Sequence, residues 1–354
     1  MGATLQTIAD ALGVSRSTVS NAYSRPDQLS PELRSRILDT ARRLGYAGPN
    51  PNARSLRSGK VGAIGVLLTA NLSLAFSDPC TVAFLRGLAA AAERRETSLL
   101  LIPLPKDPEA AQRVVRGAVV DAFCVYFVPD WCGVLEVISS RGLPVVGGED
   151  PELIGPDQFH VGIDERAAAR EVGTHIANLG HRRVAILGHW LVGNRTSGII
   201  QVDAPEDLPY FVTRERILGY REALAAADVP WSDVLLVNVA GSHRAEGELA
   251  AGFALDRGDR ATAIIATSDV LALGAIQALA ARGLRAGRDV SVTGFDDIPE
   301  AAAVGLTTIR QSSEDRGRLA GEVLLDPPTD PDRRCRVLPT TLVVRATTGP
   351  APGL

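Results

Sequence analysis

Apolar positions follow two rhythms along the chain, and the rhythm changes near residue 61. Before it, apolar residues return every three or four places, the spacing of an amphipathic helix. "TLQTIADALG" sets Leu5, Ile8, Ala9 and Leu12 on one face, and Gly13 stops the helix. Ser15 caps a second helix that runs to about Tyr23, with Val14, Thr18, Val19 and Ala22 turned inward. "SRPDQL" is a loop. Ser30 caps a third helix, Pro31 takes its first position, and Glu32 sits near the positive end of the dipole. Ile37, Leu38, Ala41 and Leu44 form its stripe, and Gly45 ends it. "AGPNPN" then breaks the chain, and "ARSLRSGK" leaves room for one or two helical turns.

From Val61 the apolar runs become continuous. "VGAIGVLLT", "TSLLLIPL", "AFCVYFV" and "PVVGGED" read as buried strands, separated by the helical stretches "FLRGLAAAAERR", "DPEAAQRVVRG" and "GVLEVISSRG". Strands that alternate with helices in this way build a parallel sheet covered on both faces. The pattern then restarts with helix "AAREVGTHIANLG", strand "RRVAILG", helix "RERILGYREALAAAD" and strand "DVLLVNVA". Strand "ATAIIATS", helix "DVLALGAIQALAARG" and strand "DVSVTGFDD" complete it. Two α/β halves of similar size are expected, with no short-period repeat.

The second helix raises a chemical question. Its outer face carries Arg16, Ser17, Ser20 and Asn21 instead of the Glu and Lys that suit a solvated helix. Short donors and acceptors beside one arginine suit the floor of a DNA groove. The charge agrees. The net charge is -4, yet residues 1–60 hold nine Lys/Arg against four Asp/Glu, and the rest holds 28 against 37. A basic head on an acidic body points to a polyanion-binding module joined to something else. In that geometry Arg16 suits guanine and Asn21 adenine, while Ser15 and Ser20 hold phosphates.

"NARSLRSGK" is the second signal. Leu56 lies among Arg54, Arg57 and Lys60 in a linker. It either packs on the body or serves as a wedge between base pairs in the minor groove, with the arginines on phosphates.

The remaining chemistry is sparse. Cys80, Cys124, Cys132 and Cys335 show no metal-ligand spacing and read as free thiols of a reducing compartment. No cofactor or metal is expected. The N-terminus lacks the pattern of a signal peptide, and no apolar run approaches a membrane span, so a cytoplasmic protein without a membrane partner is expected.

The stretch from Thr4 to "VGAIGVLL" resembles the headpiece, hinge and first core strand of the lactose-repressor (LacI/GalR) family. "VGIDERAAAREVGTHIANLGHRRVAILG", "RERILGYREAL", "ATSDVLALGAIQALAARGL", "DVSVTGFDDIPEAA" and "LTTIRQ" extend the likeness in order to Thr348. The resemblance implies an all-α helix-turn-helix headpiece (1–50) and a hinge (51–60) with its own short helix. Two Rossmann-like parallel α/β subdomains of periplasmic-binding-protein type would follow, 61–162 with 311–338 and 163–310 with 339–348, then a disordered tail, 349–354. It implies a transcriptional regulator, a repressor, that binds double-stranded operator DNA as a homodimer and is switched by a small-molecule effector, sugar-like by family default. No leucine-heptad tail of the kind that makes some members tetramers is seen.

By motif position the resemblance implies base contacts from Arg16, Ser17 and Asn21 and intercalation by Leu56. It implies effector contacts from Arg216 and Asp296, and a cleft drawn from Phe76, Cys80, Thr81, Glu149, Trp190, Ser242 and Asp269. Asp269 has an equal alternative, capping the helix that follows. Three departures stand out. "DPCT" replaces the aromatic segment that would floor a sugar ring. Ser242 stands where some relatives place an aromatic, with His243 read as a surface residue. The connection from Gly188 to Arg216 is long and is expected over the cleft entrance, where Trp190, Asn194, Arg195 or Tyr210 would shape the pocket.

Two other classes compete. Adjacent Asp296 and Asp297 invite an acid–base enzyme, but neighbours on an extended segment point apart. "VGAIGV" lacks the full dinucleotide fingerprint, and there is no GxSxG, HExxH or P-loop. A secreted binding protein fits the body but not the basic head.

Overall fold

The computed structural model describes residues 3–48, 59–68, 72–128, 132–148, 158–192 and 196–353. They form two units, Met1–Val61 and Gly62–Leu354. In the first, α1 (Leu5–Leu12), α2 (Arg16–Ser24) and α3 (Pro31–Arg43) each begin on a hydroxyl cap: Thr4, Ser15 and Ser30 accept from Thr7 N, Thr18 N and Leu33 N. Gly13, at φ +66°, turns the chain out of α1, a conformation that suits glycine because it has no Cβ. Ile8, Ala9, Val19, Ala22, Ile37 and Ala41 form a small core ringed by Leu5, Leu12, Val14, Tyr23, Leu29, Leu33 and Tyr46.

In the second unit the chain runs β1 (Ala63–Leu68), α4 (Pro79–Glu93), β2 (Ser98–Pro103), α5 (Pro108–Gly117), β3 (Ala122–Tyr126), α6 (Val134–Ser140), β4 (Val145–Gly147) and β5 (Gln158–Ile163). It continues through α7 (Glu165–Asn178), β6 (Val184–His189), β7 (Gly198–Ile200), α8 (Phe211–Ala225), β8 (Leu235–Val239), α9 (Arg244–Leu255), β9 (Ala263–Ala266) and α10 (Asp269–Ala281). β10 (Ser291–Thr293), β11 (Thr308–Arg310), α11 (Ser313–Leu325), β12 (Cys335–Leu338) and β13 (Thr341–Val343) complete it, apart from short helical turns such as Leu72–Ala75 and Pro299–Ala303.

One sheet has the order β12-β5-β4-β3-β1-β2 and is parallel throughout; the other is β10-β9-β6-β8-β7. Alternation along the strands explains why both faces are covered. Ile64, Val66 and Leu68 of β1 join one core while Leu67 joins another. Likewise Ala185 and Leu187 of β6 face one side, and Val184 and Ile186 the other. The chain passes between the sheets after β5, after β11 and after β12, and β11 pairs antiparallel with β13 at the crossing. α4 and α11 meet backbone to backbone. A Cβ on Gly87 would land on the Glu314 carbonyl oxygen, and one on Gly317 on that of Phe84.

Three features differ from expectation. The long connection before Arg216 adds β7, an edge strand antiparallel to β8, and buries Val202 and Leu208 in the core; it is part of the sheet as well as a loop. Helices α9 and α11 and strand β5 have no counterpart in the sequence reading, because the apolar positions of the helices are broken by Gly, Glu and Arg and those of β5 by His160 and Gly162. The tail is not disordered at its start. Gly349 N donates to Ser291 Oγ, the Gly349 carbonyl lies 3.0 Å from His181 Nε2, and Ala351 N donates to the Leu179 carbonyl at 2.8 Å. The buried His181 also meets Thr262 Oγ1 and Ser291 Oγ, so the start of the tail joins an existing polar cluster and is held in place.

Candidate functional site

Parallel strands end where side chains from different loops converge, and such ends are the usual place for a ligand. Here the ends of β1, β3, β6 and β9 and the start of α4 enclose a cavity of about 80 Å³ between the two sheets. Asp78, Cys80, Thr81, Tyr126 and Phe127 line it from the first half, and His189, Trp190, Arg216, Ser242, Thr267, Ser268 and Asp296 from the second. Gln311, just past β11, lines it at the crossing.

Arg216 is fixed on every side. Its Nε donates to Glu165 Oε2 at 2.8 Å, its Nη1 donates to the Thr267 carbonyl at 2.6 Å, and its guanidinium lies 3.6 Å from the centre of the Phe295 ring. Burial works against its charge, but the carboxylates of Glu165 and Asp296 outweigh it and raise its pKa. Asp296 sits at φ +122°, a strained position for a non-glycine residue, and accepts from Gln311 Nε2 at 2.6 Å. Burial drives its pKa well above the usual carboxylate range; Arg216 opposes the shift, while Asp269 and Asp78 add to it. Gln311 in turn accepts from Arg316 Nη1 on α11 at 2.8 Å. One carboxamide thus joins the cleft acid to a helix of the other half.

The opposite wall is softer. Asp78 caps α4 by accepting from Thr81 N and Thr81 Oγ1. Burial holds the Cys80 thiol protonated, and its sulfur lies 2.9 Å from Ser313 Oγ. Tyr126 packs on Phe84 at 4.4 Å and on Phe127 at 5.2 Å. Ring contacts continue from Phe127 to His189, Trp190 and Tyr210. These rings supply an aromatic wall that "DPCT" does not provide.

Of the expected cleft residues, Cys80, Thr81, Trp190, Arg216, Ser242 and Asp296 come together around this cavity. Phe76 does not line it and is 63% exposed. Asp269 does not line it either: it is fully buried, and its carboxylate accepts from Ile298 N and Thr308 Oγ1. Nor is Asp269 the cap of α10, a role taken by Ser268; it ties α10 to the segments around β10 and β11. Glu149, Asn194 and Arg195 lie outside the described residues. Tyr126, Phe127, His189, Thr267 and Gln311 were missed. The available signal was an aromatic or polar pair directly after an apolar run, as in "VYF" and "LGHW". Asp297 turns away from the cavity and pairs with Arg310 and Arg345, so it forms no acid–base pair with Asp296.

On α2 of the first unit, Arg16 and Ser17 are exposed, and Ser20 and Asn21 are half-buried. Arg16 makes no hydrogen bond or ion pair among the described residues. The Ser15 hydroxyl is engaged as a helix cap and lies 2.6 Å from Ser17 Oγ. Asn21 Nδ2 donates to Gln28 Oε1 at 3.2 Å. Arg54, Leu56 and Arg57 lie outside the described residues. Among the described residues no helix is long and apolar enough to cross a membrane.

A periplasmic binding protein-like domain matches residues 174–348. The chain is 42% identical over 351 residues to an HTH-type transcriptional regulator of Mycobacterium tuberculosis, covering 98% of this chain and 97% of the relative. A LacI-family transcriptional regulator from Corynebacterium glutamicum of known structure is 35% identical, with a TM-score of 0.74 over 97% of this chain and 98% of that one. The regulator CelR in complex with cellobiose is 25% identical, with a TM-score of 0.66 over 98% and 99%.

Proposed function

The chain belongs to the LacI family of HTH-type transcriptional regulators, and from that premise we propose that it represses by binding a palindromic operator as a homodimer, under the control of a sugar-like effector held in the cleft. It is a regulator and not an enzyme. One pairing carries this reading: a chain with an uncommitted arginine on the exposed face of α2 also has a cavity between two sheets, lined by a fixed guanidinium, an acid and rings. Each headpiece places α2 in the major groove, with Arg16 on guanine and Asn21 on adenine, and protein symmetry is mirrored in the site. Arg54, Leu56 and Arg57 form the minor-groove hinge, with Leu56 as the wedge. The hydroxyls of a sugar suit Asp296, Ser242 and Arg216, and CelR, a relative, is seen with cellobiose.

The effector switches the protein only by favouring one arrangement of the two halves, and about 1–3 kcal/mol of coupling is typical. Asp296 and Gln311 carry that preference, since one is in the cleft loop and the other is bonded to α11.

Selection of bound sites from a random duplex library tests the DNA half. A palindrome should be enriched by the full chain. Arg16→Ala should lose preference at one symmetric base position, at a cost of about 1–3 kcal/mol. Enrichment of a single half-site sinks the dimer, and an unaltered preference removes Arg16 from the readout. Leu56→Ala should reduce operator bending in a circular-permutation gel more than it reduces non-specific binding; equal bending contradicts the wedge.

A further inference from the structure

Two buried polar atoms in the cleft have no partner among the described residues. One is His189 Nδ1, at the end of β6; the other is Thr267 Oγ1, just past β9. Both residues line the cavity. β6 and β9 are paired in parallel, with Leu187 beside Ala266, so both residues come from neighbouring strand ends, Thr267 level with Gly188 and His189 one residue further on. Proteins pair nearly all such atoms, because an unpaired buried donor or acceptor is costly. Two of them facing one cavity mark where a ligand's own polar atoms complete the wall.

Charge defines the ligand. Burial lowers the His189 pKa to about 4, against the pull of Asp78, so the imidazole is neutral and offers one donor and one acceptor nitrogen. Asp78 and Asp296 face the same space, and the lining cation, Arg216, already meets Glu165. A phosphate would meet Asp78 there and no cation without a carboxylate partner. The rings of Phe127 and Trp190, 6.4 and 5.4 Å from His189, offer flat apolar surface to the C–H face of a ring.

We propose that His189 and Thr267 are the specificity-determining pair of the cleft, binding hydroxyls of an uncharged polyhydroxylated effector and, with Asp78 beside them, shutting out its phosphate ester. This rests on the reading of the cleft as the effector site.

The test uses the full chain and a panel of neutral aldoses, disaccharides and cyclitols, with the same aldoses as monophosphates. Thermal shift ranks them, and calorimetry gives affinities. A neutral member should bind, and its phosphate ester should not. His189→Phe keeps the ring contacts and loses both nitrogens; Thr267→Val keeps the volume and loses the hydroxyl. Each should weaken binding about tenfold, and His189→Asn should recover part of the loss. A deoxy analogue lacking the hydroxyl that meets His189 should bind wild type and His189→Phe alike. Wild-type affinity in both variants, while Asp296→Asn loses binding, overturns the pair and leaves the cleft standing. Preference for a phosphate ester overturns the charge argument. Binding by no panel member removes the polyol cleft itself and the pair with it. Should His189→Phe fail to fold, Thr267→Val carries the test.

Discussion

The two walls of the cleft are built on different principles. On the wall from the second half, Arg216 is clamped by Glu165, by the Thr267 carbonyl and by the Phe295 ring, and Asp296 is strained and bonded to Gln311. On the wall from the first half, Asp78 caps a helix at the cavity's edge, and Tyr126 and Phe127 contribute ring surface. The first kind of wall fixes direction at the cost of buried charge. The second yields to shape and costs little to alter. A receptor built this way reads hydroxyl geometry with one wall and accommodates ring size with the other.

The contrast should show most strongly in stability. Glu165→Ala leaves a buried guanidinium without its carboxylate, which should cost about 3–5 kcal/mol. Urea denaturation followed by tryptophan fluorescence reads this directly, since Trp131, Trp190 and Trp231 all lie in the body. A loss under about 1 kcal/mol would mean that the clamp is not rigid.

Asp296→Asn comes next, and its effect depends on pH. The folded-state pKa of Asp296 is raised above its unfolded value of about 3.9, so the stability from its protonated form is fully present below that value and lost as pH rises through the folded pKa. Wild type should therefore stand best against Asp296→Asn below about pH 4 and lose ground toward pH 7. Effector response should fall while operator binding persists. A difference that does not change with pH would deny the buried carboxylate. Tyr126→Phe, on the soft wall, should cost less than about 1 kcal/mol and barely move the same urea midpoint. A loss matching that of Glu165→Ala would erase the distinction between the walls.

The sequence showed these regions unequally, for physical reasons. The headpiece was legible because its signals are local: Ser15 and Ser30 cap, Gly13 stops, and Ile8, Val19 and Ile37 fall at helical spacing. The alternation of strands and helices likewise gave the two α/β halves. Arg216 and Asp296 were reachable through motifs. Asp269 was not separable from them, since an acid opening a helix looks the same whether it meets a ligand or, as here, Thr308 and Ile298. His189 and Phe127 were hidden because their significance is tertiary. They follow unrelated strands and meet only when both sheets are formed, with ring centres 6.4 Å apart.

The seam between α4 and α11 also bears on how such a protein can be recombined. Gly87 and Gly317 leave no space for a side chain, since the Glu314 and Phe84 carbonyls already occupy it, and Gly321 abuts Ala91 and Leu88. The two helices lie far apart in the gene but are cut to one another atom by atom. A chimera joined near residue 61 inherits both from one parent and keeps the seam. A chimera joined after Glu93 inherits them from two parents, and any methyl group the second parent brings to the seam strikes backbone that cannot move aside. New DNA specificities can therefore be exchanged at the first boundary without cutting the seam, whereas the body travels as a single heritable block.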